Sequence, residues 1–314
     1  MNASHFWLSR VEAYLAHRRR FGYTLAIEET VLKGFARFAD EREQTCLTTA
    51  LAIQWACASK ADSPFTWARR LDVLRGFSRF CLRLDPATEI PPSGLFGPAH
   101  RRLIPHIYTD TELVALMNAT DSLVSRNGLR PVTCRTLFGL LAASGLRISE
   151  ALSLTCADVD LEAGVLSVQA GKFHKYRLVP LHPSVTKSLS EYARLRDQRL
   201  SHPCGNRFFL SDGGLPVKRA NMLYALQTVC RQLGWQPRGD YGHHRLHDFR
   251  HTFIVRSLLR FYEQGRDVNR AVLALSIYVG HARVSNTYWY LTGIPELMAI
   301  AAERFQGYAQ GGQR

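Results

Sequence analysis

Val165-Leu166-Ser167-Val168-Gln169-Ala170-Gly171-Lys172-Phe173-His174-Lys175-Tyr176-Arg177-Leu178-Val179-Pro180-Leu181 is the stretch that decides the fold class. Residues 165–169 and 177–181 have strand character, and Gly171-Lys172 between them reads as a hairpin turn. Outward from this hairpin the spacing turns helical. On its N-terminal side a helix is expected over about 131–144, ending at Gly145, and Thr109-Asp110-Thr111-Glu112 opens another like a capping sequence. On its C-terminal side helices dominate from about 183 to 308, apart from Arg207-Phe208-Phe209-Leu210-Ser211-Asp212. The second part of the chain is therefore expected to be mainly α with a small β-sheet.

Further toward the N-terminus, residues 1–90 read as a helical bundle. Phe6, Leu8, Val11, Tyr14 and Leu15 recur at helical spacing, as do Val31, Leu32, Phe35 and Phe38. A third helix runs through Leu51, Trp55 and Ala58, and a fourth through Trp67, Leu71, Leu74, Phe77, Phe80 and Leu82. Ser63-Pro64 looks like the start of the fourth, an N-cap with proline at the first helical position. Between Asp85 and Thr109 lie five of the 13 prolines and two glycines. Proline lacks a backbone donor and resists helix, so residues 91–108 read as a linker and 109–314 as a second domain.

Lys and Arg total 40 against 26 Asp and Glu, a net charge of +14 that favours a polyanionic partner, most simply nucleic acid. Arg18, Arg19, Arg20, Arg69, Arg70 and Arg75 decorate the N-terminal helices, and Arg101 and Arg102 sit in the linker. These are the candidate phosphate contacts outside the catalytic region, because the guanidinium fork matches phosphate oxygens. No segment approaches the roughly 20 apolar residues of a membrane span, and no signal peptide is visible. The expected location is the cytoplasm, on the nucleoid. The seven cysteines are widely spaced and form no CxxC pair, which argues against a disulfide framework or a zinc site.

Four separated segments bring chemistry. They are Ala143-Ser144-Gly145-Leu146-Arg147-Ile148-Ser149-Glu150; Gly171-Lys172; His247-Asp248-Phe249-Arg250-His251-Thr252; and Gly280-His281 with Tyr290 nine residues on. Taken singly, each has an ordinary reading as a cap, a turn or a packed ring. Together they supply what metal-free phosphodiester cleavage requires: a nucleophile, a proton for the leaving oxygen, and cations for the transition state. A Tyr phenol, with a pKa of about 10 in water, needs cationic neighbours to ionise. No GxxxxGK[ST] loop is present, and Asp158, Asp160 and Glu162 read as a solvated turn rather than a two-metal site. No cofactor is expected.

The wording and order of these segments resemble the tyrosine recombinase, or phage integrase, family. SGLRISEAL resembles its first arginine box, HDFRHT its His-x-x-Arg-His box, and GHARVSNTYWY its Gly-His box followed by the nucleophilic tyrosine. GKFHKYRLVPL is similar to its lysine hairpin. Phe249 departs from the commoner leucine. The resemblance implies an N-terminal helical core-binding domain and a C-terminal α+β catalytic domain. It implies a site-specific recombinase of mobile-element or Xer-like type that works without metal or ATP. Tyr290 would attack the scissile phosphate and form a 3′-phosphotyrosyl ester. Arg147 and Arg250 would hold the phosphate, with His281 hydrogen-bonded to it. Lys172 would protonate the leaving oxygen, with Lys175 its alternative, and His247 would accept or relay a proton. Glu150 would support the site.

The implied partners are double-stranded DNA, further copies of the chain in a tetramer on two DNA sites, and in some systems a second recombinase of the same family. The helical face of Ile294, Leu297, Met298, Ala301 and Phe305 is expected to dock on a neighbouring subunit. Competing readings are a DNA-relaxing topoisomerase with the same tyrosine chemistry, a DNA-binding module with a degenerate site, and an RNA-binding protein.

Overall fold

The computed structural model describes residues 6–170, 175–200 and 205–293. Lys172 and the helical face from Ile294 to Phe305 lie outside the described residues. Two compact units divide between Arg102 and Leu103, inside the proline-rich segment.

The first unit holds helices α1 (Phe6–Arg19), α2 (Ala26–Asp40), α3 (Thr49–Cys57) and α4 (Pro64–Cys81). Their apolar faces meet on Trp7, Leu32, Phe35, Trp55, Leu74 and Phe77, all buried. Trp7 packs edge-on against Phe35 and Phe77, at 5.5 and 6.2 Å between ring centroids. Pro64 does occupy the first turn of α4, but the Ser63 side chain makes no capping bond. Leu82, expected on the apolar face of α4, is its C-cap and is exposed.

The second unit contains α5 (Asp110–Ala119), α6 (Leu129–Ser144), α7 (Ile148–Ser153), β1 (Val159–Asp160), β2 (Val165–Ala170) and β3 (Lys175–Pro180). Then follow α8 (Pro183–Arg199), α9 (Arg219–Gln232), α10 (Leu246–Glu263), α11 (Val268–Val279) and α12 (Ser285–Gly293). Thr109 caps α5 through the expected box: its hydroxyl accepts from Glu112 N–H, and Glu112 accepts from Thr109 N–H. The strands form one antiparallel sheet in the order β1-β2-β3, with Val165 opposite Pro180 and Ala170 opposite Lys175. That register turns Arg177 and Val179 inward and Tyr176 and Leu178 to solvent. The acidic residues after α7 build turns: Asp158 accepts from Thr155, and Asp160 from the N–H groups of Glu162 and Ala163.

Two cores fill this unit. The larger joins α5 to α9, the sheet, and Leu246 and Phe249 of α10. Phe249 lies between Tyr108 and Phe138, stacked at 5.1 and 5.4 Å, so its flat ring has a use that leucine would not fill. The smaller core joins Ile254, Val255 and Leu258 of α10 to Val272, Leu275 and Val279 of α11, and includes Tyr290. Helix α10 therefore belongs to both cores, and the change from one to the other falls between Phe249 and Ile254. No helix among the described residues is long and apolar enough to cross a membrane.

Candidate active site

Helix α10 starts on a buried carboxylate. Asp248 accepts from the Arg245 N–H at 2.7 Å and from its guanidinium at 2.6 and 3.0 Å. A carboxylate at this position satisfies free N–H groups and favours the helix dipole. This fixes the first two turns, which carry His247, Arg250 and His251.

Arg250 is buried. Its Nη1 donates to the Gly145 carbonyl at 2.7 Å, while Nη2 is buried without a hydrogen-bond partner. Gly145 ends α6 at a φ of +62°, and an added Cβ would lie 2.4 Å from Phe253. Only glycine fits there, and its carbonyl is the one that holds Arg250.

Arg147 follows directly as the N-cap of α7. Buried Glu150 accepts from the Arg147 N–H at 2.9 Å and its Nη1 at 2.8 Å. The same carboxylate accepts from Arg177 of β3 at 3.0 and 2.9 Å. Arg177 also donates to the Tyr278 carbonyl, and Arg147 to the Gly280 carbonyl. One carboxylate thus ties α7, the hairpin strand and the end of α11 together. Burial raises the Glu150 pKa, but the bonds from Arg177 and Arg147 lower it more, so it stays ionised.

Gly280 ends α11 at a φ of +69°, and a Cβ there would meet the Arg177 guanidinium at 2.7 Å. The chain then turns so that His281 Nδ1 lies 2.7 Å from the hydroxyl of buried Thr287. Tyr290, on α12, is buried among the α10 and α11 side chains, and its Oη lies 2.7 Å from Nδ1 of His251.

The electrostatics share one sign. Desolvation, then Arg250, Arg147, His247 and Arg177, push His281 down to about 3. Desolvation and the cationic groups around it push His251 lower still. His247 is displaced the same way, although its open edge tempers the desolvation. Arg250 itself is lowered to about 10 by desolvation and by Arg147. The site concentrates positive charge and keeps its imidazoles neutral.

Arg147, His247, Arg250, His281 and Tyr290 therefore come from α7, α10 and the α11–α12 region onto one locus. His251, Arg177 and Thr287 have contacts there that sequence reasoning did not single out. His251 stands inside a recognised motif and could have been flagged by that position; Arg177 and Thr287 gave no signal apart from their neighbours. The arginines of the first unit have mixed surroundings. Arg19 pairs with Glu29 and Arg75 with Asp72. Arg18 lies over Tyr23, Arg70 over Trp55, and Arg101 over Phe65, at 4.2, 4.2 and 4.8 Å. Arg69 is 5.9 Å from the Phe65 ring centroid. Arg20 and Arg102 are exposed.

The sequence profile of the phage integrase family matches residues 107–293, which contain every element of this locus. The y4rB protein of Sinorhizobium fredii (strain NBRC 101917 / NGR234), named as an integrase/recombinase, is 38% identical over 300 residues, covering 94% of this chain and 96% of its own. Tyrosine recombinase XerD of Staphylococcus saprophyticus is 32% identical over 224 residues, 71% of this chain and 70% of that one. The integrase of the Tn1549 transposon, solved with transposon right end DNA, shares the fold at a TM-score of 0.65 and 17% identity, covering 98% of this chain and all of that one (100%). With its clustered arginines, its histidines and its buried tyrosine on that fold, the chain belongs to the phage integrase family of tyrosine recombinases.

Proposed function

We propose that this protein is a site-specific DNA recombinase that cleaves and rejoins DNA through Tyr290, in the integration, excision or resolution of a mobile element. The observation that carries this reading is a buried guanidinium with an unpartnered nitrogen, Arg250 Nη2, in the cluster that contains the tyrosine. A buried cation short of partners is costly, and a phosphate oxygen would complete it.

Tyr290 Oη attacks phosphorus, the bond from phosphorus to the 5′-oxygen breaks, and a 3′-phosphotyrosyl ester and a free 5′-hydroxyl remain. Arg147 and Arg250 hold the non-bridging oxygens, and their charge stabilises the transition state more than the ground state. His281, anchored by Thr287, presents its other ring nitrogen to the phosphate. His247 sits on the same turn as Arg250 and assists proton movement. Lys172, by its place in the motif, protonates the 5′-oxygen. The new ester keeps the free energy of the old one, so rejoining to another 5′-hydroxyl requires no nucleotide. The substrate is double-stranded DNA, and the working assembly is a tetramer on two sites. Residues 1–90 form the core-binding domain, and Arg18, Arg20, Arg69, Arg70, Arg101 and Arg102 contact the phosphates of the DNA. Arg19 and Arg75 join them after exchanging their carboxylate partners.

The test is a duplex from the ends of its own element, nicked near the cleavage point and incubated without metal. The wild type should form a covalent adduct on a denaturing gel, and Tyr290→Phe should not. Tight binding with no adduct would leave a DNA-binding module. Relaxation of a plasmid lacking any special site would favour a topoisomerase.

A further inference from the structure

A phenol attacks phosphate well only if its proton leaves as the new bond forms, and that proton must have a destination within hydrogen-bond reach. Tyr290 Oη lies 2.7 Å from His251 Nδ1. His251 stands one residue beyond Arg250, so the helix that clamps the phosphate also sets the ring against the nucleophile. The ring is half-buried against Trp289 and Tyr290, and His247 lies edge-on to it at 4.6 Å between centroids. We propose that His251 is the base that takes the phenolic proton of Tyr290, through Nδ1, as the oxygen attacks the scissile phosphate. The proposal rests on the reading of Tyr290 as nucleophile.

The charges around His251 fit that role. Arg245, Arg250 and His247 face it from its own helix, and His281 from the turn between α11 and α12. Burial first, and then these cationic groups, hold the ring in its neutral form. A neutral imidazole has one lone pair, and with the proton on Nε2 that lone pair is on Nδ1, toward the phenol. When a DNA phosphate enters, its negative charge offsets the arginines and the ring becomes a stronger base at the moment the base is required. The step balances. The O–H bond of Tyr290 breaks and its proton goes to Nδ1 of His251. The Oη–P bond forms and the bond to the 5′-oxygen breaks, its electron pair leaving with that oxygen. The oxygen takes a proton from the general acid, for which the sequence nominates Lys172. On rejoining, the imidazolium returns its proton to Oη.

The experiment compares wild type, His251→Asn and His251→Ala on the nicked duplex, between pH 6 and 9.5. Asparagine puts an amide where Nδ1 stands, so it can still hydrogen-bond the phenol but cannot carry the proton. DNA binding, measured by gel shift, should be unchanged in both variants. Cleavage should slow by about 10²-fold or more in both, the range expected for a lost general base. The variants' rates should climb with pH across the whole range, while the wild type levels off. A duplex with sulfur in place of the bridging 5′-oxygen has a leaving group that needs no acid, and it should not rescue either variant. Added imidazole should partly restore His251→Ala. His251→Asn cleaving within a few-fold of wild type, or rescue by the sulfur duplex, would overturn the proposal. In the second case the residue serves the leaving group. Absence of an adduct from the wild type itself would instead bring down the recombinase reading, and the proposal with it.

Discussion

Replacing Glu150 by Gln keeps the side chain's shape but removes its charge and one acceptor oxygen, so its cost can be worked from the contacts. The carboxylate accepts four hydrogen bonds, two from Arg147 and two from Arg177. A Gln side chain keeps one acceptor oxygen and points two N–H donors at guanidinium donors, so at least two of the four are lost. Glu150 and Arg177 are well shielded, at 7% and 14% side-chain exposure, whereas Arg147 is 38% exposed and its share is screened by water. Removing one partner of a buried pair costs about 3–5 kcal/mol, and the discount for Arg147 puts the expectation near 3 kcal/mol. For a unit of this size each kcal/mol moves the melting temperature by about 2–4 °C, so the catalytic unit should melt about 6–12 °C lower. The loss has a pH signature. The folded pKa of Glu150 is depressed, so its contribution is complete above the unfolded value of about 4.3 and fades as pH falls through the folded one. Wild type and Glu150→Gln should thus differ fully at pH 7 and converge in acid below about pH 4. The assay is thermal melting by circular dichroism over that pH range, with adduct formation alongside. Melting within 2 °C of wild type at pH 7, with normal cleavage, would refute the claim that this carboxylate holds the arginine clamp.

Gly145→Ala combines a left-handed φ with a Cβ 2.4 Å from Phe253, and should cost about 2 kcal/mol or more and slow cleavage by shifting the carbonyl that holds Arg250; melting and adduct rates check both. DNA-free protein should lose stability as pH falls from 7 toward 4. His247, His251 and His281 have depressed values, so the unfolded chain, with rings near 6.5, binds protons that the folded chain does not; urea melts across this range measure the slope. Tyr290 packs in the same core as α10 of its own chain and bonds its own His251, so cleavage should occur in cis. A mixture of Tyr290→Phe and Arg250→Ala proteins on one substrate should form no adduct, and restored cleavage in the mixture would show that the tyrosine is donated between subunits.

Much of this was legible in the sequence because it rests on local rules. Strand character on either side of Gly171-Lys172 locates β2 and β3, Gly145 marks a helix end, and Thr109 with Glu112 writes a capping box. Motif wording alone nominates Arg147, Arg250 and Tyr290, and the fold brings them to one locus. What stayed hidden depends on contacts between distant segments. Arg177 reads as one more strand residue until the β2–β3 register turns it inward to Glu150, 27 positions away. His251 reads as half of a two-histidine motif until α12 brings Tyr290 to it from 39 positions away. Trp7 escaped because its neighbours Phe6 and Leu8 carry the same apolar signal, and only the packing of α1 on α2 and α4 decides which of the three is fully buried.

The distribution of carboxylates leaves the arginine cluster un-neutralised, as the proposed phosphate site requires. Asp248 and Glu150 are both buried beside the cluster, yet each is committed: Asp248 to Arg245 and the start of α10, Glu150 to Arg177 and one side of Arg147. Arg250 instead donates to a neutral carbonyl, that of Gly145. The anions therefore fix the scaffold's cations in place and leave the central one short of charge. Were Glu150 paired with Arg250 instead, a phosphate would have to displace a buried carboxylate, and most of its binding energy would be lost in the exchange. Anchoring Arg250 by a dipole keeps its position without cancelling its charge. Burial first, and then the uncancelled arginine charge, keeps the imidazoles neutral, and under the proposed mechanism a bound phosphate would make them more basic as Tyr290 attacks.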